Sequence, residues 1–300
     1  MELSPEILKK IRSIELRAGH LVDDAFAGGY LSTFKGQGME WEDVRHYVPG
    51  DDVRRIDWKV TARLGETQIK QFREEREIVI YVLIDVSASG QFGSVDVLRS
   101  ERLAELAAAL AFCTTKNNDK IGVLFFSDHV ERHIPPGSGQ SHIFKVIREI
   151  LAHEGNKVPA NKETKLLPAV ERLCKIRKKR TIVFVLSDFF MNDLPLALEQ
   201  LARRHQVCLF WLVDDLEKQL PAASLLPVQD AETGTKIWVD LSLGRAREIF
   251  QKLALDRKKA LESEARKRKT PLVCLENNAT YIDQVVHFFR SRMKFSGARS

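Results

Sequence analysis

Five stretches of the chain are nearly unbroken apolar runs: IVIYVLID (Ile78–Asp85), KIGVLFFS (Lys120–Ser127), TIVFVLSD (Thr181–Asp188), QVCLFWLVD (Gln206–Asp214) and PLVCLE (Pro271–Glu276). A strand wetted on one face alternates apolar and polar residues. An unbroken run marks a strand covered on both faces, and so a mostly parallel sheet clad by helices. Helical patterns separate the runs, over about 95–117, 141–153, 166–177, 194–205 and 246–267, with a last one over about 281–293. HVERHIP (His129–Pro135) is expected as an edge strand and KIWVD (Lys236–Asp240) as part of a short hairpin. The strand–helix alternation predicts an α/β, Rossmann-like fold with helices on both faces of the sheet.

The first part of the chain has a different texture. Ser4 is an N-cap candidate and Pro5 suits the first helical position, so a helix is expected to about Ala18, with Ile7, Leu8, Ile11, Ile14 and Leu16 on its apolar face. From Gly19 to Glu77 charge, glycine and tryptophan dominate. This predicts a small appended region with some β structure. The expected organisation is residues 1–77 as helix and signature region, 78–293 as the sheet domain and 294–300 as a tail.

Composition narrows the class. Hydrophobic residues make up 44% and charged residues 29% of 300, as in soluble globular proteins. No apolar run approaches the ~20 residues of a membrane helix, and MELSPEILKK lacks an apolar signal segment. The expected location is the cytoplasm, with no membrane span. Cys113, Cys174, Cys208 and Cys274 form no CxxC pair and read as free thiols, most of them buried. The net charge of +6 is concentrated in KIRKKR (Lys175–Arg180) and RKRK (Arg266–Lys269). These runs suit a nucleic-acid or acidic-partner surface. The favoured reading is that both end helices, where cations face water and complement the helix dipole.

The chemistry sits where strands end. Asp85 and Asp188 each follow a buried run, and ligands of open parallel sheets bind at the carboxyl ends of strands. Asp85, Ser87 and Ser89 alternate, so in an extended loop their oxygens face one way. An all-oxygen set without His or Cys suits Mg²⁺ or Mn²⁺ and not zinc. Thr164 precedes an apolar helix. It reads alone as an N-cap, and beside the other oxygens as a further ligand. The order Asp85-x-Ser87-x-Ser89, Thr164, Asp188 resembles the metal-ion-dependent adhesion site of von Willebrand factor A-like domains. That resemblance implies a cation that binds a partner's carboxylate and performs no covalent chemistry.

The segment GQGMEWEDVRHYVPGDDVRRIDWKVTARLGETQIKQFREERE (Gly36–Glu77) interleaves acids and arginines with apolar residues. Ion pairs are expected between Asp43, Asp51, Asp52, Asp57 and Arg45, Arg54, Arg55, Arg63, around Trp58. The network reads as a solvated face, as a packed lock onto the sheet domain, or as a docking surface. The segment resembles the hallmark of the domain of unknown function 58 family, GxGxEFxDVRxYxPGDDxRxIDWxxTAR, and the likeness extends over about residues 20–292. Trp41 keeps the usual aromatic. SDFF (Ser187–Phe190) replaces the TDG of many adhesion-type domains, and Lys165 stands where an acid or polar residue is commoner. Such bacterial proteins tend to be encoded beside MoxR-type AAA+ ATPases. The resemblance therefore implies a non-enzymatic, divalent-metal-dependent interaction module, an adaptor or chaperone-like partner of that ATPase or of a client offering a carboxylate. Two alternatives stand beside it. A metal-dependent phosphohydrolase or nuclease would need a second acid where Ser87 stands. A nucleic-acid binder would use the basic runs, but lacks an aromatic stacking platform. There is no GxxxxGK[ST] for ATP.

Overall fold

The computed structural model describes residues 39–74, 78–87, 99–117, 119–154, 164–191, 194–218, 220, 225–229, 235–240, 244–276, 284–285 and 287. The helix expected over 4–18, Ser89 and most of the helix expected over 281–293 fall outside them.

The appended region has a two-stranded antiparallel sheet, β1 (Met39–His46) and β2 (Gln68–Glu74), with His46 opposite Gln68. Between the strands the chain forms a 3-10 turn (Val53–Arg55) and a short helix α1 (Trp58–Leu64). The helix was not anticipated from the sequence. Its start is fixed by Asp57, whose carboxylate accepts from the Lys59 and Val60 amides, and its end by Gly65, in the left-handed region at φ 76°.

The sheet domain follows as β3 (Val79–Asp85), α2 (Arg99–Asn117), β4 (Lys120–Phe126), β5 (Val130–Gly137), α3 (Gln140–Glu154), α4 (Leu167–Ile176), β6 (Ile182–Ser187), α5 (Ala197–Arg204), β7 (Gln206–Val213), α6 (Asp215–Lys218), β8 (Leu225–Gln229), β9 (Lys236–Asp240), α7 (Gly244–Lys267) and β10 (Leu272–Glu276). The strands β10-β7-β6-β3-β4-β5 form one six-stranded sheet, and β8 and β9 pair as a separate hairpin. All neighbours in the large sheet are parallel except the edge pair β4–β5. The chain starts in the middle at β3, winds outward through β4 and β5, and returns to build β6, β7 and β10 on the other side. The strand order therefore reverses between β3 and β6, which makes their carboxyl ends the expected ligand site.

Alternating side chains along β3 divide the core in two. Ile80, Val82 and Ile84 join one layer with Leu103, Ala107 and Leu110 of α2 and Val146, Ile147 and Ile150 of α3. Tyr81 and Leu83 join the other, with Val170 and Leu173 of α4, Leu198 and Leu201 of α5 and Ala265 of α7. Coverage on both faces is the reason the strands read as unbroken apolar runs. Among the described residues no helix is long and apolar enough to cross a membrane.

The second layer holds one tight polar contact. The Tyr81 hydroxyl lies 3.1 Å from His133 Nε2, and the two rings stack with centroids 6.0 Å apart. Gly122, opposite Tyr81 in the register, leaves room for the tyrosine ring. A Cβ on Gly122 would stand 2.9 Å from the Tyr81 ring and 3.1 Å from the Ile134 carbonyl. Neither neighbour has freedom to retreat. Gly122→Ala is expected to destabilise the protein by about 1–3 kcal/mol, read as a lower urea midpoint at unchanged m-value.

Candidate metal centre

Asp85 closes β3 and Asp188 follows β6, so the two acids stand at adjacent strand ends at the reversal point. Both are buried, at 6% and 2% exposure. Asp85 Oδ1 accepts from the Ser87 amide at 3.0 Å, and Oδ2 from the Ser187 hydroxyl at 2.5 Å. The Phe189 amide donates to that same hydroxyl at 2.8 Å. Every donor to Asp85 among these is neutral. Burial first, and the charge of Asp188 second, push its carboxyl up to about 7 against the hydrogen bonds that favour the anion. Asp188 Oδ1 accepts from the Phe190 amide at 2.9 Å. Between these two residues the backbone turns sharply, with Phe189 at φ 48° and its ring buried. A bulky residue rarely adopts that conformation.

Thr164, in the segment just ahead of α4, reaches the same edge. The amide of Lys165 donates to the Ser127 carbonyl at 2.8 Å, which ties the segment to the end of β4. Asp85 pairs with Phe126 at that end. The N-cap of α4 is Leu166, and no side chain caps the helix, so the N-cap reading of Thr164 is corrected. Its hydroxyl is buried and has no hydrogen-bond partner among the described residues.

The structure thus brings Asp85, Ser87, Thr164 and Asp188 to the ends of three neighbouring strands, and Ser89 lies outside the described residues. Two carboxylates, hydroxyls and an orphaned threonine oxygen fit a hard divalent cation. Four further residues at this edge were not anticipated: Ser187, Arg99, Glu217 and Arg257. Arg99 is 1% exposed. Its Nη1 donates to Asp188 Oδ2 at 2.5 Å, and its Nη2 donates to Glu217 Oε1. Arg257 Nη2 donates to the Asp188 carbonyl at 2.9 Å, and its guanidinium lies 3.9 Å from the Phe190 ring centre. Burial pushes the Glu217 carboxyl up, against the pull of Arg99. Arg99 carried a signal in the sequence: with Leu103, Leu106 and Leu110 it lies on the buried stripe of α2, where an arginine needs a partner. Glu217 and Arg257 carried none.

The signature region uses its acids differently from the expected ion-pair ladder. Arg45 and Asp51 form a two-pronged pair, at 2.7 Å for each contact, and Arg45 holds the Asp51 carboxyl down at about 2. Asp52 caps the 3-10 turn through the Arg54 amide. Asp57 caps α1, with Lys70 Nζ 3.8 Å away. Arg54, Arg55 and Arg63 are exposed, and among the described residues they make no ion pair. Short acids next to free amides cap turns more readily than they reach for arginines, so among the described residues one pair of the ladder, Arg45–Asp51, forms. Trp58 is 69% exposed, and the side chain of Asp43 lies outside the described residues. Three residues of the second basic run pair with acids one turn back: Lys267 and Arg268 with Glu264, and Arg266 with Glu262.

Residues 43–260 match the family described as "Protein of unknown function DUF58". The chain belongs to that family. An uncharacterised protein of Mycobacterium tuberculosis is 28% identical over 294 residues, covering 97% of this chain and 91% of that protein. The uncharacterised protein YeaD of Bacillus subtilis is 28% identical over 112 residues, 37% of this chain and 26% of YeaD. Among solved structures, the conserved hypothetical protein BatB of Bacteroides thetaiotaomicron superposes at TM-score 0.45, with 16% identity, over 72% of this chain and 99% of BatB. The SpRpn10 VWA domain does so at TM-score 0.38, with 11% identity, over 71% of this chain and 95% of that domain.

The raised carboxyl of Asp85 in this DUF58 chain has a stability consequence. Between its ordinary value of about 4 and about 7 in the folded protein, the unfolded chain has released a proton that the folded chain keeps. Folding is therefore opposed increasingly as pH rises through this window. Without divalent cations, the urea midpoint is expected to fall from about pH 5 to about pH 8. In Asp85→Asn this component of the decline disappears.

Proposed function

We propose that the carboxyl edge of β3, β4 and β6 holds one Mg²⁺ or Mn²⁺ through Asp85, Ser87, Ser89, Thr164 and Asp188, and offers the ion to a carboxylate of a partner protein. The observation that carries this reading is the buried hydroxyl of Thr164, which has no hydrogen-bond partner among the described residues. Such a group costs about 1–3 kcal/mol unless something fills its lone pairs, and it stands at the edge that already holds two buried acids. The raised carboxyl of Asp85 agrees, because a cation would supply the countercharge that neutral donors do not.

The role is binding rather than covalent chemistry. Two residues past Asp85, where a phosphohydrolase of this sheet type places its general acid, the chain has Ser87, which has no proton to trade near neutral pH. The partner class is a MoxR-type AAA+ ATPase or a client acting with it in the bacterial cytoplasm, as the family resemblance implies.

Isothermal titration with Mg²⁺ and Mn²⁺ tests the ion. Wild type is expected to bind one ion, Asp85→Ala to bind about 10–100-fold more weakly, and Thr164→Val to bind more weakly while its metal-free form gains about 1 kcal/mol by losing the orphaned hydroxyl. Unchanged binding in Asp85→Ala sinks the reading. Pull-down of the MoxR-type ATPase from native lysate, with Mg²⁺ or EDTA, tests the partner. Recovery only with Mg²⁺, and only by wild type over Asp85→Ala, supports the ion bridge. Recovery regardless of metal moves docking to residues 36–77.

A further inference from the structure

Arg99 belongs to no ligand set, yet it is the most deeply buried cation at the site. Its guanidinium spans Asp188 in the turn after β6 and Glu217 in α6 after β7. Glu217 is in turn shared with Arg257, whose Nη1 lies 3.8 Å from its other oxygen. Both oxygens of Asp188 are therefore engaged before any ion arrives, one by the Phe190 amide and one by Arg99. Asp85 has hydrogen bonds from Ser87 and Ser187 but no cation among these contacts. The two site carboxylates are thus prepared in opposite ways.

We propose that Arg99 is a resident counter-cation that shares Asp188 with the divalent ion and so sets how tightly the site holds metal. The inference rests on the cation reading above and adds its regulation. A guanidinium does not give up its proton in a protein, so its repulsion of an incoming ion cannot be relieved by titration. It is relieved only by drawing the guanidinium toward Glu217. Like charges a few ångströms apart repel more strongly in a poorly hydrated site than in water, which keeps the resting affinity low. A partner carboxylate entering the shell brings negative charge that offsets the fixed guanidinium. Metal and acidic partner are then bound cooperatively, each strengthening the other.

The test is Mn²⁺ titration by calorimetry at about pH 7.5 on wild type, Arg99→Gln and Arg99→Lys, with folding checked by circular dichroism. Arg99→Gln is expected to bind Mn²⁺ at least about tenfold more tightly. Arg99→Lys keeps the charge and is expected to stay within about threefold of wild type. A purely structural arginine would not be rescued in this sense by lysine. If wild type binds and Arg99→Gln binds no tighter, the counter-cation proposal is overturned and the metal reading stands. If only Arg99→Gln binds, Arg99 fills the cation's place in the natural chain, which supports the competition and removes the metal reading for wild type. If none binds, both fall. Should Arg99→Gln fail to fold, Glu217→Gln decides: with Arg99 left to Asp188 alone, Mn²⁺ binding is expected to weaken about threefold or more, and unchanged or tighter binding overturns the proposal.

Discussion

Asp85 and Asp188 repel each other across the reversal of strand order, in a place with little water to screen them. Two carboxylates at adjacent parallel strand ends cannot both stay charged without compensation. Most of what surrounds them answers that need. The Ser87 amide and the Ser187 hydroxyl support Asp85, while the Phe190 amide and the Arg99 guanidinium support Asp188. The sharp turn at Phe189, with its left-handed backbone, brings a hydroxyl and two amides to bear within four residues. Glu217 and Arg257 form an outer ring that holds Arg99 in its place.

The location of the acids follows from the architecture. A sheet covered on both faces exposes backbone only at its edges and ends, and the amino ends of β4, β6, β7 and β10 are entered from helices. At the reversal point successive connections leave toward opposite sides, which opens a crevice at the carboxyl ends of the strands. The core supplies the rigidity. Ile80, Val82 and Ile84 are clamped from one side, Tyr81 and Leu83 from the other, so the tip of β3 has little freedom when charge is added or removed.

The sheet, its mostly parallel direction and the edge strand were legible because burial on two faces writes itself into composition. The gathering of Asp85, Ser87, Thr164 and Asp188 at one sheet edge was legible too, since each follows or precedes an apolar run at a position that topology makes special. Glu217 and Arg257 were not legible. Their roles depend on how α6 and α7 return to β6, which is a long-range fact with no local trace. Arg99 lies between these cases: its place on the apolar stripe of α2 marks it as buried, but only the fold says which acid it meets. In the signature region the abundance of opposite charges suggested pairing. The acids there mostly satisfy backbone amides, as short side chains beside turns do, and α1 was hidden because its cap, Asp57, was counted among the ion pairs.

That use of the acids leaves Arg54, Arg55 and Arg63 without an acid among the described residues. Asp51, Asp52 and Asp57 are consumed by Arg45 and by turn amides, while Arg54, Arg55 and Arg63 face solvent. The sheet edge is the reverse case: Asp85, Asp188 and Glu217 gather there around Arg99, and with the proposed divalent ion bound its charge would invert. An ion with an open coordination position and a set of solvent-facing guanidiniums both select for carboxylates. They do so with different physics. The guanidiniums act through screened, salt-sensitive attraction, which favours rate of encounter. The proposed ion would act through a directed bond within a largely dehydrated site, which favours residence. A partner with an acidic surface would meet both, and the metal would decide whether it stays.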